Sequence, residues 1–188
     1  MVKHALWEPD PRRKGVAVSL LRFLGLGESS AQSERRETQT VRRIADQLDR
    51  LPPEQAKYLA SFAFVLARVA HADLEIDAPE LAEMERIVRT IAHLSEAEAA
   101  LVVQIAKAQA QHLGGTENYV VTRKFRQLAS REQRAELLQC IYAVAAADGT
   151  ISGVESSEIL SIAEELGFTR PEANALRGAY RDKLSEFQ

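Results

Sequence analysis

The stretch Ala145-Ala146-Ala147-Asp148-Gly149-Thr150-Ile151-Ser152-Gly153-Val154-Glu155 decides the fold. It reads as the end of one helix, a tight turn, an apolar plug at Ile151 and the start of the next helix. Asp148 before Gly149 suits an Asx-type turn: aspartate bonds its own backbone two residues on, and glycine accepts backbone angles that other residues avoid. Ser152 with Glu155 is a capping box, in which the hydroxyl accepts an orphan helical amide and the carboxylate accepts the cap amide. A second copy lies 75 positions earlier, at Val69-Ala70-His71-Ala72-Asp73-Leu74-Glu75-Ile76-Asp77-Ala78-Pro79-Glu80, where Asp73 pairs with Asp148, Ile76 with Ile151 and Glu80 with Glu155.

Outward from the two corners the apolar residues keep helical spacing. Leu59, Phe62, Ala63, Leu66, Val69 and Ala70 follow the i, i+3, i+4, i+7 pattern of a buried stripe ahead of the first corner. Leu137, Leu138, Ile141, Val144 and Ala145 do the same ahead of the second. Helices are expected over Glu34–Asp49, from Pro53, around Leu81–Ile91 and Leu101–Ala108, over Asn118–Leu128, Arg131–Ala147 and Val154–Glu165, and from Pro171 to about Leu184. Ser95 with Glu98, Ser130 with Gln133, Thr169 with Glu172 and Asp77 with Glu80 mark further helix starts. No run alternates with period two for long enough to make a strand. The expectation is an all-α domain at residues 34–188 built from two pseudo-symmetric three-helix units, each burying its stripe against the other.

Residues 1–33 read as a separate arm and linker. Residues 1–43 hold nine Lys or Arg against five Asp or Glu, a net of +4 that leaves −7 for the rest of a chain at −3. Trp7-Glu8-Pro9-Asp10-Pro11 resists regular structure, because each proline removes a donor and restricts its predecessor. Val16, Leu20, Phe23 and Leu24 share one face of a short amphipath beside Arg12-Arg13-Lys14, which suits a docking helix, a flexible arm or peripheral contact with an acidic membrane. The run is far below the roughly 20 residues needed to span a bilayer. The overall charge argues against a nucleic-acid partner. With one cysteine and no secretory signal, a cytoplasmic location is expected.

Two readings of the corners stand side by side. In one, the Asx turn and the capping carboxylates are structural and the isoleucines plug the core. In the other, Asp73 and Asp148 continue the buried stripes and face a helix C-terminus, so each needs a partner. Oxygen donors without cysteine or convergent histidine suit a hard cation, Ca²⁺ or Mg²⁺. An EF-hand is excluded, since Val144 and Ala146 stand where its first ligands belong. Cys140 reads as buried, His71 as a helix-end residue and Arg123-Lys124-Phe125-Arg126 as a solvated basic face. No phosphate loop, zinc spacing or serine elbow points to an enzyme.

Ala146-Ala147-Asp148-Gly149-Thr150-Ile151-Ser152, with Glu155 three residues on and Leu166-Gly167-Phe168-Thr169 beyond, resembles the tellurite-resistance protein B (TerB-like) family. Asp73, Ile76, Glu80 and Ile87 fit that family's first half, with Leu74 in place of glycine and His71 in place of a small residue. The resemblance spans about Val41 to Leu184. It implies an all-helical, cytoplasmic bacterial protein tied to tellurite resistance and stress response, and the lack of a substrate-shaped signal makes a non-catalytic role the expectation. It further implies a divalent metal at Asp73, Glu80, Asp148 and Glu155. A metal-free helical adaptor for a protein partner or membrane-associated complex is the alternative.

Overall fold

Serine caps set the helix starts. Ser130 accepts from the Gln133 amide at 3.2 Å while the Gln133 side chain accepts from the Ser130 amide at 2.9 Å. Ser152 and Glu155 repeat the exchange at 3.2 and 2.8 Å, and Ser95 and Glu98 at 3.3 and 2.9 Å. Each such cap contributes about 1 kcal/mol. Pro53 opens its helix at a position where a missing N–H costs nothing. The residues described in the computed structural model are 42–69, 78–110 and 115–187. The N-terminal arm and the first corner, with Asp73, Ile76 and the Asp77 cap, lie outside them.

Among the described residues eight helices follow in order: α1 (42–49), α2 (Pro53–Ala67), α3 (Ala78–Ile91), α4 (Glu96–Ala110), α5 (Gly115–Leu128), α6 (Arg131–Ala145), α7 (Gly153–Glu165) and α8 (Arg170–Gly178). Two 3-10 turns, Arg181–Lys183 and Ser185–Phe187, close the described chain. No strand occurs among the described residues, and the protein is all-α. An isolated parallel bridge joins Ile151 to Leu184.

Helix α2 is the axis of the molecule, packed against α4, α5 and α6. Every residue from Leu59 to Ala67 is buried, so α2 is covered all round and not along one stripe. The reason is composition: between the stripe positions stand Ala60, Ser61, Phe64 and Val65, small or apolar, so neighbours can close on every side. Ser61 satisfies its hydroxyl by donating to the Lys57 carbonyl at 2.7 Å. Phe62, Phe125 and Tyr58 form an aromatic cluster with centroids 5.4 to 6.1 Å apart, Phe62 and Phe125 edge to face. The expected basic segment of α5 thus has a solvated face and a wholly buried Phe125.

Helix α3 packs on α4 and α6, α7 on α5 and α6, and α8 on α6 and α7. The core is one cluster from Ile44 to Leu184 that includes residues of both halves. The last helix stops at Gly178, six residues before Leu184. Glycine is a poor helix former, and an extended step is needed to bring Leu184, 2% exposed, under Ile151. The Ile151 amide donates to the Lys183 carbonyl at 2.7 Å and the Ser185 amide to the Ile151 carbonyl at 3.0 Å.

Candidate functional site

The α6–α7 corner follows the expected chemistry. The Thr150 amide donates to Asp148 Oδ1 at 3.1 Å, which is the Asx turn. Gly149 supplies φ +102°, a conformation that would strain any other residue. Ile151 is fully buried beneath it. Asp148 is exposed, so its carboxylate hangs at the molecular surface at the C-terminal end of α6. Glu155 is half-buried, with Oε2 engaged by the Ser152 amide. Glu80 is exposed in the first turn of α3.

Of the four acids expected to act together, Asp73 lies outside the described residues. Asp148 and Glu155 sit on the two sides of one corner. Among the described residues no three His, Cys, Asp or Glu side chains gather closely enough to hold a metal ion. The donor chemistry, carboxylate oxygens alone, fits a hard cation. The described residues by themselves do not assemble a full set.

The centre of the site is a residue the periodicity did not single out. Arg68, just past α2, has a side chain only 4% exposed. Its Nη1 donates to Glu165 Oε2 at 2.6 Å and to Thr122 Oγ1 at 2.7 Å, and its Nε to Glu158 Oε1 at 2.8 Å. Thr122 passes the chain on, donating to the Asn118 carbonyl at 3.0 Å. Burial works against the guanidinium charge, but the hydrogen bonds to Glu165 and Glu158 and the charges of these two carboxylates together outweigh it and raise its pKa above the ordinary arginine value. Arg68 therefore ties the end of α2 to both α5 and α7. The available signal was its isolation: it is the only charged residue between Lys57 and His71.

Beside Arg68 opens a cleft of about 660 Å³ between the end of α2 and the first turns of α7. Val69, Val154, Glu155, Glu158 and Ser161 line it. Val154 is 82% exposed, a large apolar side chain left at the cleft's margin. The route into the first corner and the exit from the second thus share one cavity.

The model of the family described as tellurite resistance protein TerB matches residues 59–178, well over half of the chain. The chain belongs to the TerB family. No curated protein and no solved structure gives a significant match. The TerB match runs from within α2 to the end of α8, so it takes in Arg68, the cleft and the α6–α7 corner. It leaves out the two 3-10 turns and Leu184 between them. Cys140 is fully buried in this TerB-family chain, where burial pushes its thiol up to about 12 and removes it as a nucleophile. No helix among the described residues is long and apolar enough to cross a membrane.

Proposed function

We propose that this TerB-family protein is a non-catalytic binding protein that holds a divalent cation, Ca²⁺ or Mg²⁺, at its acidic helix corners in a stress response of the tellurite-resistance kind. One observation carries the reading. Val69, which leads directly into the segment with Asp73, Glu75 and Asp77, lines the same cleft as Glu155. The Arg68–Glu158 ion pair at 2.7 Å fixes that meeting point. Asp148 supplies an exposed carboxylate whose orientation is set by the Thr150 amide, and Glu80 and Glu155 stand at the first turns of the helices that leave the corners. A cation would supply charge neutralisation and a rigid link between two helix pairs.

A second reading, a metal-free adaptor for a protein partner or membrane-associated complex, is favoured by two details. The Glu155 carboxylate already closes a capping box, and Val154 leaves apolar surface at the cleft's margin. Titration calorimetry of Ca²⁺ and Mg²⁺ into the full chain separates the two. Binding with a rise in melting temperature, weakened by Asp148→Ala and by Asp73→Ala, is the expected result. No heat and no melting shift would leave the adaptor. Binding that survives both substitutions would move the site away from the corners.

A further inference from the structure

Three guanidinium groups converge on the turn between α7 and α8. Arg126, near the end of α5, lies against Gly167 so closely that a Cβ there would stand 2.8 Å from its guanidinium carbon. Arg134 of α6 donates to the Leu166 carbonyl at 2.7 Å. Arg131, at the start of α6, stands over the Phe168 ring, 5.1 Å from its centroid. Residues 166, 167 and 168 thus each carry one arginine.

The turn itself accounts for part of this. Phe168 donates to the Ala163 carbonyl at 2.9 Å and Gly167, at φ +87°, to that of Glu164 at 3.0 Å, the double-bonded Schellman ending. Cations near those last carbonyls are favourable. Three of them in one place repel one another, and local carboxylates offset only some of the charge. Glu172 pairs with Arg131, and Glu132 accepts from the Ser130 hydroxyl at 2.9 Å beside Arg131 and Arg134. The Arg126 guanidinium makes no hydrogen bond or ion pair among the described residues. The basic surface continues along α5, because Arg123 precedes Arg126 by three residues and Tyr119 precedes Arg123 by four, placing all three on one helix face. Arg123 and Arg126 are exposed and Tyr119 is 54% exposed. This face stands out on a chain whose residues past 43 sum to −7.

We propose that the face made by Tyr119, Arg123, Arg126 and Arg131 is a docking surface for an acidic, Glu- or Asp-rich segment of a partner protein. Arginine forks match carboxylates two hydrogen bonds at a time, and tyrosine and arginine are enriched among the residues that carry binding energy at protein interfaces. A membrane is the poorer occupant: the exposed apolar surface here is limited to Tyr119 and Val120, and a broad anionic plane would also meet the negative remainder of the domain. The surface shares no residue with the cleft beside Arg68, and its test needs no cation.

The test is fluorescence anisotropy of a dye-labelled glutamate-rich peptide with the full chain, across a salt series. Arg123→Gln combined with Arg126→Gln is compared with Arg86→Gln on α3, and circular dichroism melts confirm that both fold. Binding by the unaltered chain should weaken with salt and fall roughly tenfold or more in the double variant, with Arg86→Gln unchanged. Absence of peptide binding at low salt, or equal losses in both variants, overturns the proposal. So does binding to phosphatidylglycerol-containing vesicles that the peptide fails to displace.

Discussion

Arg68 shows what a single charge does when it is the only one within a buried run. Its ion pairs differ from surface pairs because the guanidinium is nearly sealed while Glu158 remains 37% and Glu165 17% exposed. Replacing Arg68 with Met would leave two carboxylates and the Thr122 hydroxyl facing an apolar group. The expected loss is about 2–4 kcal/mol, somewhat under the cost of breaking a wholly buried pair because Glu158 keeps part of its hydration. Urea unfolding measures it, and a loss under about 1 kcal/mol would class the contact as an ordinary surface pair. Glu172 makes the complementary case at the surface. Bonds from the Thr169 amide and hydroxyl, with Arg131, hold its carboxyl down at about 2. A carboxyl depressed in the folded state stabilises fully above its ordinary value and loses that contribution as pH falls toward the folded value. Urea midpoints of the unaltered chain and of Glu172→Gln should therefore differ near neutrality and converge between pH 4.5 and about 2. A constant difference across that range would contradict the assignment.

Among the elements, the 3-10 turns after α8 act as a strap for the second corner. Leu184 fills the core under Ile151, and two backbone hydrogen bonds join the segments. Leu184→Ala should cost about 2–5 kcal/mol and speed amide exchange at Ile151 and Ser185, which proton–deuterium exchange reads directly. Unchanged exchange at Ile151 would mean that the corner holds itself. Helix starts were legible in the sequence because capping is local: Ser130, Ser152 and Ser95 each carry their partner three residues away. The Asx turn at Asp148-Gly149 was legible for the same reason. What escaped depends on distant residues. The last helix was read to about Leu184, since nothing nearby announces that Leu184 must pair with Ile151. Full coverage of α2 was present in the run from Ala60 to Ala67, but a search for one stripe reads only half of it. Arg68 finds Glu158 and Glu165 across 90 and 97 residues, a separation no local pattern encodes.

For the molecule as a whole, the question is whether the two halves behave as separate units. The duplicated corners suggested two three-helix units packed on one another, and the first corner lies outside the described residues. The core gives its own answer about cooperativity. One continuous cluster joins Ile44, the α2 run, the α4 residues Val102 and Ile105, and the α7 residues Ile159 and Ile162. Helix α2 touches α4, α5 and α6 at once, and Arg68 fastens its end to α7. Neither half can lose its packing without exposing the other's. Phe62 lies within this shared core, fully buried and in edge contact with Phe125. Phe62→Ala is expected to cost about 3–5 kcal/mol. Exchange protection in α2 and in α7 should fall by the same amount, since a single cooperative unit distributes the loss across its whole core. Protection that drops in α2 while α7 keeps its original value would divide the protein into two folding units.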